Sequence, residues 1–218
     1  MHPPPRYAIT GFLRPNQGHV VFRGRSLDGL RPQAIVHAGI ARSFQNLRLF
    51  LELSALDNVM VALPRQFAEE PLGAIFRPLH AGRRQRRRRD EALAALQHVG
   101  LGDRADDTVR NLSYGEQKLL TVARLLATGA ELLLLDEPSI GLAPNLVEWM
   151  FRQVQEVCRS RAMTAILVEQ NVAALLQIAD RVVIMNNGQT VFDGLPDEAR
   201  ASNFWHFFCS WVRLGRPV

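Results

Sequence analysis

The sequence has 218 residues, of which 47% are hydrophobic, and a formal net charge of +5. That length and apolar share suit one large domain, or one domain with a lobe, able to bury a substantial core. No run of about 18 uncharged apolar residues occurs, so no membrane-spanning helix is predicted, and the first residues do not resemble a secretory signal. Two distant cysteines, Cys158 and Cys209, match no metal spacing and predict buried thiols in a reducing compartment.

The first half of the chain predicts short elements followed by longer helices. Turn residues and apolar runs predict strands at 20–22 and 40–44, and helices at 31–37, 53–62 and 83–99. Gly100 is a stop signal for the last of these helices. Three prolines and two glycines predict an irregular segment over 64–82.

The second half alternates helices and strands. A strong helix over 113–128 is closed by Gly129, and the apolar run 132–135 predicts a buried central strand. Helices are then predicted at 146–159 and 172–178, strands at 165–168 and 181–185, and a hairpin turn over 186–189 leads into a strand at 190–192. This alternation predicts an α/β fold with a mostly parallel sheet.

Four regions follow from these elements. Residues 1–63 are predicted to form an N-terminal β part, 64–128 a helical lobe, 129–197 a C-terminal α/β part, and 198–218 an atypical aromatic tail. The fold expected from the whole is α/β, with a mostly parallel sheet, a helical lobe and a small antiparallel β part.

A first candidate site lies at the start of the helix over 113–128. Ser113, with Glu116 three residues later, forms the pattern of a capping box that places Ser113 at the helix N-cap. Gly115 allows another group to approach the backbone closely, and a helix N-terminus favours an anion such as phosphate. Capping boxes also begin many ordinary helices, so these residues alone leave both interpretations open.

A second candidate site follows the apolar strand at 132–135. Asp136 and Glu137 lie at the carboxyl end of this strand, where α/β sheets bind their ligands. Asp136 is suited to hold Mg²⁺, and Glu137 is suited to polarise an attacking water. The alternative is a solvated acidic loop.

Together these motifs resemble the ATP-binding subunits of ABC transporters. Residues 112–117, 132–138 and 139–144 are similar to the family's signature motif, Walker B motif and D-loop. Residues 43–45 resemble its Q-loop, 9–15 the segment after its phosphate-binding loop, and 188–194 its terminal hairpin. Residues 41–46 with 49–50 look like the branch that serves branched-chain amino-acid uptake. The resemblance extends over 9–197 and implies a P-loop NTPase-like fold.

The resemblance also implies roles for individual residues. Ser113, Gly115 and Glu116 belong to the signature segment that would contact the γ-phosphate of ATP bound to the opposite subunit. Gln45 would touch Mg²⁺ or the lytic water and report to the membrane partner. Asp136 would serve the metal, and Glu137 would act as the base.

Two positions depart from the family pattern. Gln170 stands where the family usually has its switch histidine; an amide can donate a hydrogen bond to the γ-phosphate but cannot become an imidazolium. Ala143 stands where an aspartate normally ends the D-loop.

The partners and cofactors are likewise expectations from the resemblance. They are ATP and Mg²⁺, a second ATPase subunit in a homo- or heterodimer, transmembrane permease subunits and, indirectly, a solute-binding protein. A peripheral position on the cytoplasmic face of the inner membrane is expected, and nucleic acid is not an expected partner. The implied activity is ATP hydrolysis coupled to import of branched-chain amino acids or similar solutes.

One family element has no counterpart in the sequence. The phosphate-binding loop G-x-x-x-x-G-K-[ST] is expected just before Ile9, but the chain begins Met-His-Pro-Pro-Pro, and no lysine precedes Lys118. Consecutive prolines cannot build the helix that follows such a loop. A missing N-terminal portion, from a late start or a frameshift, is the favoured explanation. The alternative is a degenerate, non-hydrolysing subunit that supplies only the signature motif to a partner's ATP site.

Two further segments allow two interpretations each. The arginine run over 83–89 is expected to be a solvated helix face, with an anionic-lipid or nucleic-acid patch as the alternative. The aromatic stretch over 204–211 predicts a docking helix, with a membrane or partner contact as the alternative.

Overall fold

The computed structural model describes residues 6–43, 48–64, 77–201 and 210–214. The chain divides into an α/β unit, Met1–Asn46 with Ala130–Val218, and a helical unit, Leu47–Gly129. Within the described residues, no helix combines the length and the apolar character needed to cross a membrane.

The elements follow one another along the chain in this order: α1 (Arg6–Ile9), β1 (Val21–Phe22), β2 (Arg25–Ser26), α2 (Pro32–His37), β3 (Ile40–Arg42), α3 (Ala55–Ala62), α4 (Arg77–His98), α5 (Tyr114–Ala127), β4 (Leu132–Asp136), α6 (Pro144–Ser160), β5 (Thr164–Glu169), α7 (Val172–Leu175), β6 (Arg181–Asn186), β7 (Gln189–Gly194), α8 (Pro196–Ala201) and β8 (Ser210–Leu214). Two short 3₁₀ helices, Gly102–Arg104 and Val109–Asn111, precede α5.

The main sheet of the α/β unit has the strand order β3-β4-β5-β8-β6-β7. The β3–β4 and β4–β5 pairs are parallel, whereas β8 runs antiparallel to both β5 and β6, and β7 runs antiparallel to β6. Strands β3, β4, β5 and β6 therefore point in one direction. The expected α/β fold with a mostly parallel sheet is confirmed, and β1 and β2 add a small antiparallel pair.

Strand β4 lies at the centre of the parallel part. All five of its residues are buried, as a strand covered on both faces requires. On one side Ala41 pairs with Leu133, and on the other Leu133 pairs with Ala165. The apolar cluster beside it consists of Phe22, Leu27, Ile35, Ile40, Leu132 and Leu134.

The hairpin between β6 and β7 forms at the predicted turn. Asn187 and Gly188 both have positive φ, 48° and 81°, as a two-residue type I′ turn requires. Asparagine and glycine are the residues that adopt this conformation most readily.

Strand β8 differs from the prediction for the aromatic tail. Most of the predicted docking helix, 204–209, lies outside the described residues, but Ser210 and Trp211 begin a strand, so the prediction of a helix is wrong there. The edges of β5 and β6 supply the backbone partners of β8. Strand formation depends on such tertiary partners more than on local propensity.

The helical unit is built on α3, α4 and α5. Its largest fully buried side chains include Leu56, Leu96, Leu120 and Leu126. Helix α4 begins at Arg77, six residues before the predicted start at 83. A proline at the second position of a helix breaks no hydrogen bond, and a single glycine, Gly82, reduces helix stability only moderately.

The buried Asn58 side chain joins α3 to the segment before it. Its amide oxygen accepts a hydrogen bond from the Phe50 N–H at 2.9 Å. Its amide nitrogen donates to the carbonyls of Phe50 and Ser54, both at 2.9 Å. These bonds satisfy the amide group of the fully buried Asn58 side chain, which would otherwise lose water without replacement.

Replacing Asn58 with alanine is therefore expected to lower the free energy of unfolding by about 2 kcal/mol, because the three hydrogen bonds of its buried side chain to the Phe50 and Ser54 backbones are lost. Urea unfolding followed by circular dichroism measures this loss. Asn145→Ala, at an exposed position of α6, is the matched control and should change stability by less than about 0.5 kcal/mol. Equal effects of the two substitutions would contradict the expectation.

Candidate functional site

Asp136 ends β4 and is buried at the carboxyl edge of the sheet. Its N–H donates a hydrogen bond to the Ser43 hydroxyl at 3.0 Å, and the Ser43 N–H donates to the Leu134 carbonyl at 2.8 Å. The segment that follows β3 is thus held against the end of β4. Gln45, the predicted Q-loop residue, lies outside the described residues, so its role stays a prediction.

Arg42 is a buried partner of Asp136 that the sequence analysis did not assign a role. One of its terminal nitrogens lies 3.5 Å from Oδ2 of Asp136, and both side chains are less than a tenth exposed. The guanidinium also lies 4.5 Å from the centroid of the Tyr7 ring and donates to the Thr10 hydroxyl at 3.3 Å. A buried charge is tolerated when it is paired and hydrogen-bonded in this way.

Glu137 and Gln170 are brought together as neighbours. Glu137 is the first residue after β4, and its N–H donates to the Val168 carbonyl at 2.8 Å. The side-chain nitrogen of Gln170 donates to Oε1 of Glu137 at 3.2 Å. Glu137 has a φ of 47°, a left-handed conformation that is uncommon for a residue with a side chain. Such conformations are concentrated at functional sites.

Glu169 is a buried carboxyl group of this region that the sequence analysis also missed. It ends β5 and is 1% exposed. Its Oε1 accepts the Ser139 N–H at 2.7 Å, and its Oε2 accepts the Gln170 N–H at 3.2 Å. Burial raises the pKa of Glu169, and the hydrogen bonds from Ser139, Gln170 and Asn171 act in the opposite direction. The signal available in the sequence was a charged residue at the end of an apolar strand.

The acidic edge of the sheet fits the ligand preferences of Mg²⁺. Among the described residues, no group of three or more His, Cys, Asp or Glu could hold a metal by itself. Mg²⁺ is usually bound through one or two carboxylates together with substrate phosphates and water. The Asp136 carboxylate, at the edge where α/β sheets bind ligands, is a donor of that kind.

The signature segment lies in the helical unit at the start of α5, and its predicted capping box is present. Ser113 is the N-cap, and its hydroxyl accepts the Glu116 N–H at 3.3 Å. The Glu116 carboxylate accepts the Ser113 N–H at 2.7 Å. Gly115 is the second residue of the helix and is half-buried. The first turn thus presents backbone amides, a hydroxyl and a residue without a side chain.

Arg104 pairs with the carboxylate oxygen of Glu116 that does not accept the Ser113 N–H. Its Nη1 lies 2.8 Å from Oε1 of Glu116. The hydrogen bond from the Ser113 backbone, with a further contribution from Arg104, lowers the pKa of Glu116. A group whose pKa is lowered by folding stabilises the fold above its unfolded pKa, and this contribution is lost as the pH falls through the folded pKa.

Glu116→Gln keeps the capping geometry but removes the charge, so it should lower the free energy of unfolding by about 1 kcal/mol at pH 7. The difference from wild type should shrink as the pH falls below the ordinary pKa of a glutamate and through the lowered pKa of Glu116 in the fold, because the wild-type carboxylate is then protonated as well. Urea unfolding of both proteins at a series of pH values from 7 downward measures this difference in the free energy of unfolding. Glu91→Gln, which breaks an exposed pair with Arg87, is the control. A difference for Glu116→Gln that is constant with pH would contradict the electrostatic origin.

Comparison with known families gives one match over most of the chain. A family model described as "ABC transporter" matches residues 7–140. The high-affinity branched-chain amino acid transport ATP-binding protein LivG of Salmonella typhimurium is 33% identical over 192 residues, which are 88% of this chain and 75% of LivG. The corresponding protein BraF of Pseudomonas aeruginosa is 31% identical over the same shares of the two chains.

Solved structures with a similar fold are also ATP-binding cassettes of ABC transporters. A nucleotide-free ATP-binding cassette from an ABC transporter has a TM-score of 0.73 and 25% identity, and the match covers 92% of this chain and 81% of the other. A cassette solved in its ADP conformation has a TM-score of 0.71 and 27% identity, with 88% and 75% covered.

Proposed function

The chain belongs to the ABC transporter family, and on that premise we propose that it is the ATP-binding subunit that couples ATP hydrolysis to the import of branched-chain amino acids. The names of its relatives LivG and BraF support the choice of substrate. The observation that carries the catalytic part is the placement of Asp136 and Glu137 at the carboxyl edge of the sheet, with Gln170 bonded to Glu137.

In this proposal Glu137 is the residue that acts on the attacking water. Its carboxylate accepts a hydrogen bond from the water and takes its proton as the oxygen attacks. Gln170 donates to that carboxylate and keeps it oriented, and it does so without titrating near neutral pH, unlike a histidine. Asp136 and Gln45 would hold Mg²⁺, which supplies charge neutralisation at the phosphates.

The signature segment is proposed to act on a second nucleotide. Ser113, Gly115 and Glu116 would contact the γ-phosphate of ATP bound to another ATPase subunit, through the hydroxyl and backbone amides at the start of α5. This role of the signature segment requires a dimer of ATPase subunits. Import of the solute further requires transmembrane permease subunits and, indirectly, a solute-binding protein. We place the subunit on the cytoplasmic face of the inner membrane, as a peripheral component.

Glu137→Gln should reduce kcat for ATP hydrolysis at least about 100-fold, because an amide cannot accept the proton of the attacking water. Nucleotide binding should be retained, since the substitution is nearly isosteric. Release of phosphate by the assembled transporter, with a parallel nucleotide-binding assay, measures both effects.

Glu148→Gln is the matched control because Glu148 is an exposed residue of α6 whose described partner is Arg152. Its kcat should equal that of the wild type. Unchanged hydrolysis in Glu137→Gln would refute the role of Glu137 as the base.

A second candidate function is a subunit that supplies only its signature segment. The 218 residues contain no G-x-x-x-x-G-K-[ST], and their single lysine, Lys118, is buried in α5 beside the Tyr114 ring. A subunit of this kind binds ATP weakly by itself but completes the ATP site of a partner that carries the phosphate-binding loop.

Equilibrium dialysis of the 218-residue chain with ATP tests the second candidate. A dissociation constant in the micromolar range would refute the second function, because that function requires one above about 1 mM, weaker than roughly 4 kcal/mol of binding. In a mixed dimer with a complete ATPase subunit, Ser113→Ala should then lower hydrolysis at the partner's nucleotide.

A further inference from the structure

The Glu169 carboxylate joins two segments of the α/β unit. One of its oxygens accepts the N–H of Ser139, which lies after β4, and the other accepts the N–H of Gln170, which lies after β5. The two acceptor oxygens of a carboxylate allow both bonds at once. A side chain that is 1% exposed can hold this arrangement only because backbone amides replace the lost water.

These two segments are the ones that carry Glu137 and Gln170. Strands β4 and β5 end within one residue of each other, because Asp136, the last residue of β4, pairs with Val168, and β5 ends at Glu169. The Glu137 N–H still bonds to the Val168 carbonyl, and the chain leaves the sheet after Asp136 on β4 and after Glu169 on β5. The bond from Ser139 to Glu169 lies two residues after Glu137, and the bond from Gln170 to Glu137 lies one residue after Glu169.

We propose that Glu169 is a positioning residue for ATP hydrolysis. It ties the segments after β4 and β5 together so that Gln170 stays bonded to Glu137. This proposal rests on the proposed function. Glu137 has an uncommon left-handed backbone, and such a conformation persists only where its surroundings hold it. Glu169 supplies part of that restraint through Ser139. Glu169 itself does not touch the reacting atoms.

The chemistry of the side chain explains why a carboxylate is used. Glutamine has the same shape but only one acceptor oxygen, so its NH₂ group would face at least one of the backbone N–H donors that the carboxylate accepts. An apolar side chain would remove the acceptor of both amides and would leave the buried Ser139 amide unsatisfied. A purely structural role would predict a loss of stability with no specific effect on the positions of Glu137 and Gln170.

The first test is Glu169→Gln in the nucleotide-free chain, with amide hydrogen exchange followed residue by residue by NMR. Exchange at the Ser139 or Gln170 amide should become at least about tenfold faster, because one of them loses its acceptor. Glu198→Gln makes the same change in a carboxylate that accepts the Leu195 N–H, away from Glu137, and should leave both amides as in wild type. Unchanged exchange at Ser139 and Gln170 in Glu169→Gln would overturn the proposal.

The second test measures hydrolysis by the assembled transporter. Glu169→Gln should lower kcat about tenfold or more, while KM for ATP changes less than about twofold, because orientation is affected and binding is not. In a Gln170→Ala background the same substitution should lower kcat by less than about twofold further, since the two residues act through one contact. Full additivity, or a normal kcat with only a lower Tm, would overturn the positioning role.

The two tests also separate this proposal from the proposed function. If the wild-type assembly hydrolyses no ATP, the proposed function fails, and amide exchange at Ser139 and Gln170 still decides whether Glu169 ties the two segments. If the wild type hydrolyses ATP but Glu169→Gln has wild-type kcat and exchange, only the proposal for Glu169 fails.

Discussion

The backbone hydrogen bonds that pair β4 with β3 on one side and β5 on the other position every described residue of the acidic edge in the α/β unit. Parallel strands end at the same edge of a sheet, so the residues that follow them meet there although they are distant in sequence. The leucines at 132–135 make this pairing possible, because a strand buried on both faces cannot carry polar side chains without partners.

The polar groups at that edge are the exceptions to an otherwise apolar interior. Asp136, Ser43 and Glu169 are all buried, and each makes hydrogen bonds across to a neighbouring segment. Buried polar groups are stable when such bonds are satisfied, and a satisfied network also fixes the geometry of its members. The edge therefore combines negative charge with rigid placement, which is what orientation of a metal and a water molecule requires.

The signature segment is organised by local contacts at a helix start and not by the pairing of distant strands. Its polar groups lie at a helix start, where the free amides of the first turn and the helix dipole favour an anion. The capping box and the pairing of Glu116 with Arg104 organise this turn within the helical unit. Local sequence is sufficient for such a motif, because every bond of the box joins residues three positions apart.

Local patterns in the sequence determined the capping box at Ser113, the buried strand at 132–135 and the Asn187-Gly188 hairpin, since each depends on neighbours within a few residues. The carboxyl-edge position of Asp136 and Glu137 also followed from the sequence, because it requires only that a buried strand end there. Tertiary structure alone decided the burial of Arg42 beside Asp136, the hydrogen bond from the Ser139 amide to Glu169 and the insertion of β8 between β5 and β6. These features join residues far apart in the chain, and no local periodicity encodes which strand edges and backbone amides come together when the sheet forms.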